Sequence, residues 1–180
     1  MLRIIALASV ASLTFATAAV AQPLPTPDFI KAAAQTDDFE RTEGRLAEKM
    51  SASAQVRSFG EEMVSAHTKT TAALKAAIAK AGLAPPAPPL LSAEQQQDLA
   101  TLKTLHGAAF DKAYVEQQIQ AHQTALGVMQ AYASSGDNSI IRKAASDTVP
   151  IVQNHLAMAQ RCISPAERRD AERPSRRARP

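Results

Sequence analysis

Four histidines are spread along this 180-residue chain, His67, His106, His122 and His155, and three of them fall on apolar helical stripes. At about 100° per residue, His67 joins Val56, Phe59, Met63, Thr70, Leu74 and Ala77. His122 joins Val115, Gln118, Ala125, Met129 and Tyr132, and His155 joins Ile141, Ala144, Thr148, Ile151, Met158 and Cys162. A further stripe of Phe29, Ala32, Thr36, Phe39, Leu46 and Met50 carries Glu43 at its centre and Glu40 toward one edge. Only His106, beside Gly107, reads as a surface residue. Imidazoles and carboxylates facing inward are the donor set of Zn, Fe, Mn or Cu, and helical bundles assemble such sites from facing helices. The candidate ligands are therefore Glu40, His67, His122 and His155, with Glu43 and Gln118 in second rank.

Their level along the helices supports the grouping. Glu40 and His67 both lie ~20 Å from a turn near Ser53 and should face one another. His122 and His155 lie ~21 and ~28 Å from a turn near Gly136, a mismatch of about one helical turn that a kink at Pro150 would partly absorb. Asp111, on the His122 stripe but ~16 Å away, cannot share the site, whereas Gln118 can.

The alternative is a metal-free polar core, with Glu40 pairing His67 and Gln118 or Thr148 serving the other histidines, because buried polar groups need partners in either case. Glu-x-x-His, the di-iron pattern of ferritin-like bundles, is absent: Val64, Ile119 and Val152 stand three residues before the histidines. A mononuclear or divergent site remains. No Cys-x-x-Cys-His exists for covalent haem, and Met63 and Met129 at helical spacing read as core filler rather than haem ligands. No nucleophile and base stand together: Cys162 is at a helix end beside Arg161, so the chain reads as a binding protein more than an enzyme.

The elements that must position these residues are helices. The chain has 4% aromatic residues, no Trp and six Gly, a composition suited to helices and poorly suited to sheets. Thr26-Pro27-Asp28 reads as a helix start with Thr26 as N-cap, leading to about Met50. After a soft break at 51–53 helix resumes to Ala81, and Gly82 stops it. Pro85, Pro86, Pro88 and Pro89 make an extended connector. Ser92 and Glu94 reopen a short helix to about Leu105, Gly107 interrupts, and a long helix spans 108–133. A turn at 134–137 precedes a last helix over 138–162 with Pro150 inside it. Two helical hairpins joined by one long crossover point to an all-α, ferritin-like four-helix bundle over residues 22–163.

Residues 1–21 have the parts of a secretory signal: Arg3, an apolar run to Phe15, and Ala19-Val20-Ala21, with cleavage expected after Ala21. The mature chain should be periplasmic and without a transmembrane segment, because the apolar run is shorter than the ~20 residues a spanning helix needs. The lone Cys162 allows no internal disulfide and leaves a disulfide between two chains open, as is the oligomeric state. The net charge of +3 divides into +4 over residues 161–180, +1 from Arg3 and −2 over 22–160. Residues 164–180 should be a disordered basic tail, and Arg168, Arg169, Arg173, Arg176, Arg177 and Arg179 could touch anionic lipid or lipopolysaccharide. Nucleic acid is not an expected partner of an exported chain without interleaved aromatics.

One family shares these blocks in order. Phe39-Glu40 with Gly44-Arg45-Leu46-Ala47, Val56-Arg57-Ser58-Phe59 with Met63-Val64 and His67, Phe110-Asp111 with Tyr114 and His122, and Val149-Pro150 with His155-Leu156 resemble the exported bacterial domain-of-unknown-function family 4142. The resemblance covers roughly residues 28–160 and implies a ferritin-like four-helix bundle, without implying an activity. Members commonly carry an Asp directly before the second-helix histidine; here Ala66 stands there, so that group is missing or supplied from elsewhere. Some members bear an outer-membrane label, but the chain lacks the alternating strands of about ten residues that a barrel needs.

Overall fold

The computed structural model describes residues 24–163; the expected leader over 1–21 and the arginine-rich tail lie outside the described residues. Five helices account for nearly all of the described chain: α1 (Thr26–Met50), α2 (Ala54–Lys80), α3 (Ala93–Thr104), α4 (Gly107–Ser135) and α5 (Ser139–Cys162). No strand occurs among the described residues. The four long helices close a ring in which α1 packs on α2 and α4, and α5 packs on α2 and α4, while the short α3 lies against α1 and α4.

Each end of these helices has a local cause. Ser53 accepts from Val56 N, and Asn138 from Ile140 N and Ile141 N, so side chains take donors that a helix start leaves unpaired. Ser92 and Gln95 form a reciprocal capping box, with Gln95 rather than Glu94 closing it. At the end of α2, Gly82 has φ 68°, and Gly82 N and Leu83 N return to Ala79 O and Ile78 O, the left-handed stop that glycine allows. Thr26 is not the N-cap of α1. Helix begins at Thr26 itself, after Pro25, and the donor at Thr26 N is taken by Asp137 Oδ1 at 3.1 Å from the α4–α5 turn. Thr26 Oγ1 also meets Tyr132 Oη and Asp137 Oδ1, both at 2.5 Å, which fastens the start of α1 to the far hairpin. At the opposite end, Asp111 accepts from Ser51 Oγ at 2.5 Å and Ser53 N at 3.1 Å, tying α4 to the α1–α2 turn.

α5 runs unbroken through Pro150. The hydrogen bond that proline cannot donate would have gone to Ser146, and both residues are exposed, so the carbonyl left over faces solvent.

The apolar core comes in two parts. One contains Val56, Phe59, Met63, Phe110, Tyr114 and Ala159, with Cys162 packed against it; the other contains Phe29, Ile30, Ile78, Tyr132, Ile141 and Ala145, with Met129 beside it. Met63 and Met129 are thus core side chains. Between the two parts lies a layer of buried polar groups: Asp37, Glu40, Glu43, His67, Gln118, His122 and His155.

Candidate metal centre

The buried face of α1 is broad: Phe29, Phe39 and Glu43 of the expected stripe are buried, and beside them runs a second line, Thr26, Ile30, Ala33, Asp37, Glu40, Gly44 and Ala47, spaced three and four residues apart. That line is one position away from the stripe of larger apolar residues, and Ala32, Thr36, Leu46 and Met50 are only partly buried. Glu40 is therefore central rather than marginal, with 1% of its surface exposed. Close contact between α1 and α2 seats it: a Cβ on Gly44 would lie 2.8 Å from Gly60 O, and a Cβ on Gly60 2.8 Å from Gly44 O, so both positions exclude a side chain.

Glu40 stands between two imidazoles. Its Oε2 lies 3.0 Å from His67 Nε2 and its Oε1 3.2 Å from His122 Nδ1. Neither approach is aligned as a hydrogen bond, so both Glu40 oxygens and His67 Nε2 are buried without a hydrogen-bond partner. The other faces of the rings are occupied. His67 Nδ1 meets Asp37 Oδ1 at 2.8 Å, and Asp37 also accepts from Thr70 and Thr71. His122 Nδ1 meets Gln118 O at 2.8 Å; a carbonyl only accepts, so this nitrogen carries the proton and Nε2 of the neutral ring keeps its lone pair. His155 Nδ1 lies 3.3 Å from that lone pair. The three ring centroids are 5.1 to 5.7 Å apart, and His67, His122 and His155 each offer one nitrogen within 4.8 Å of the others.

The structure thus brings Glu40, His67, His122 and His155 together at mid-bundle. Glu43 and Gln118 pair with each other instead, Gln118 Nε2 donating to Glu43 Oε2 at 2.7 Å. Thr148 donates to Ala144 O on its own helix and serves no histidine. His106 is exposed. Asp37 is the residue that stripe reading missed. It completes a second donor group with Glu40 and His67, and its signal was its place three residues before Glu40 on the same face. The carboxylate for His67 comes from α1, whereas position 66 on α2 is Ala.

The charges divide sharply over this small volume. Burial works against ionised His67, yet the Glu40 and Asp37 carboxylates outweigh it and push the imidazole up to about 10. Burial also opposes ionised Glu40, but His122 and His67 hold its carboxyl below the usual range. His155 goes the other way: burial, with the charges of His67 and His122, pushes it down to about 3. His122 is lowered as well, chiefly by burial. Burial pushes Glu43 up to about 8 against its bond from Gln118, so at neutral pH it is a proton-bearing acid. Chemically the layer offers two neutral imidazoles, a third held by an acid, and a carboxylate with unfilled acceptor positions, which is a cation-binding set.

The family described as a domain of unknown function, DUF4142, matches residues 11–162. The chain belongs to that family. No curated protein and no solved structure matches it. DUF4142 carries no assigned activity in its description, so what this member does rests on the layer just described.

Proposed function

We propose that this DUF4142 protein is an exported, ferritin-like four-helix bundle that binds one divalent transition-metal ion at mid-bundle through Glu40, His67, His122 and His155. The observation that carries it is the convergence of one nitrogen each from His67, His122 and His155 within 4.8 Å of one another, with the buried Glu40 carboxylate beside two of these rings. Two of the rings are held neutral by burial, the state in which an imidazole can bind a metal. Two distances agree: donors about 2.0–2.1 Å from a tetrahedral ion sit about 3.3 Å apart, and His122 Nε2 to His155 Nδ1 is 3.3 Å while Glu40 Oε2 to His67 Nε2 is 3.0 Å. Asp37 on His67 and the Gln118 carbonyl on His122 are the outer partners that metal-binding histidines commonly have. The proline-containing stretch before α3 would be the crossover of such a bundle, and the arginines beyond residue 163 a basic contact for anionic envelope lipids.

A second reading has its own observation. His67 lies between Asp37 and Glu40, and as an imidazolium it would neutralise the layer without metal. The protein would then be a non-catalytic structural or stress protein of the envelope.

Metal analysis of protein folded with Zn, Mn, Cu or Fe(II) separates the two. The first reading expects about one ion per chain and stabilisation of about 2.7 kcal/mol at ion concentrations a hundredfold above Kd. That gain should vanish in His67→Ala and His155→Ala and persist in His106→Ala. A melting temperature unmoved by all four ions, with no metal retained, leaves only the second.

A further inference from the structure

A half-open cleft of about 790 Å³ lies between α2 and α5, with α1 as part of its wall. Small side chains make it wide: Ala73 and Ala76 face Ala144 across it. Ile151, one of the few large apolar residues left exposed, lines it too. A volume in the range of about 300–1,000 Å³, apolar walls and few polar groups describe a small-molecule site.

Its charges are unevenly placed. Asp37 turns inward to His67, Thr70 and Thr71, and Lys143 is held by Asp147 at 2.7 and 2.9 Å. Lys69, Lys80 and Glu62 remain, and none of them forms an ion pair among the described residues. On α2, Lys80 and Glu62 are at opposite ends of the cleft, ~27 Å apart along the helix, with Lys69 between. From Lys143, near the Lys80 end, the α5 wall runs ~18 Å to His155. Lys80 puts a cation, unpaired among the described residues, at one end and Glu62 an anion at the other, and apart from Lys69 the α2 wall between them is mostly small and apolar.

We propose that this cleft binds a single-chain anionic amphiphile, a long-chain fatty acid, with its carboxylate at Lys80 and its hydrocarbon along Ala73, Ala76 and Ala144 toward Ile151. The occupant follows from the charge at one end and from a volume suited to one small ligand. This binding does not depend on the metal reading: Asp37 and His155 border the cleft, but Asp37 is turned to His67, Thr70 and Thr71, and the carboxylate contact is at Lys80.

The test is a titration of the purified full chain with the fluorescent fatty acid cis-parinarate, followed by displacement with oleate and with oleyl alcohol. Saturable binding of one molecule per chain is expected. Ala73→Trp, at an exposed helical position that leaves the core untouched, should weaken it at least tenfold. Lys80→Glu should weaken oleate several-fold and leave oleyl alcohol unchanged, and His106→Ala, outside the cleft and outside the polar layer, should bind as the wild type does. Absence of saturable binding, or equal affinity in Ala73→Trp and wild type, overturns the proposal. So does self-association by sedimentation that Ala73→Trp abolishes, because the cleft would then be covered by a second copy of the chain.

Discussion

His122 Nε2 and His155 Nδ1 meet at 3.3 Å although His155 sits about one helical turn farther from the α4–α5 connection than His122 does. The direction of side chains on a helix closes the gap. Cα–Cβ bonds tilt toward the N-terminus, which for α4 points away from the connection and for α5 points toward it. His122 is thereby carried up and His155 down until they share one level, with no demand on Pro150.

That pair predicts an acid-labile bundle in the absence of metal. His155 titrates near 3 when folded, in contact with His122 and beside Glu40 and His67, and near 6.5 when unfolded. Its stabilising share is complete above about pH 6.5 and falls as pH drops toward 3, because the unfolded chain takes the proton first. Urea midpoints measured from pH 7 to 4 should decline, and His155→Gln should flatten that decline. An equal slope in the variant would assign acid lability to another group.

Glu43 governs the other side. Its folded value of about 8 exceeds the ordinary 4.5, so its share of stability is present below about pH 4.5 and is lost as pH rises through 8. Glu43→Gln keeps the neutral shape and removes the titration. At pH 8.5 the variant should be more stable than wild type, by on the order of 5 kcal/mol at most, with the gain shrinking toward pH 5. A variant that is less stable throughout would show that ionised Glu43 has a partner.

Asp37→Asn tests the outer partner of His67. If the layer holds metal, affinity measured by chelator competition should fall about 10- to 100-fold while helicity is retained. Unchanged affinity would mean that Asp37 anchors only Thr70 and Thr71.

Gly60→Ala tests how the site is seated. The added Cβ meets Gly44 O at 2.8 Å and Ala47 Cβ at 2.9 Å, so α1 and α2 must separate, at a cost of about 1–3 kcal/mol in a urea melt. Because Glu40 and His67 face each other across that contact, metal affinity should fall as well. Gly127→Ala, inside α4 with open space around it, is the control: it should gain about 0.5–1 kcal/mol from helix propensity and leave metal affinity unchanged.

The helices were legible because their ends are chemical: Gly82, Ser92, Asn138 and the prolines of the connector all lie at boundaries. The grouping of Glu40, His67, His122 and His155 was legible because polar residues at stripe positions must go inward. Asp37 was not, since tracing α1 through its larger apolar residues finds the buried Phe29, Phe39 and Glu43 but passes over the adjacent buried line, mostly small and acidic, on which Asp37 lies. Thr26 misled for a different reason. Its cap comes from Asp137, more than a hundred residues away, and no local pattern encodes a donor satisfied across the fold.

The polar layer also divides the molecule mechanically. Phe29, Ile78 and Tyr132 hold one end together, Phe59, Phe110 and Tyr114 the other, and among the described residues no apolar cluster bridges them. Each end can therefore loosen with little help from its counterpart, and amide exchange in metal-free protein should resolve two units opening at different rates. An ion held by α1, α2, α4 and α5 at once would act as a rivet through the seam. It would turn two weakly coupled halves into one cooperative body.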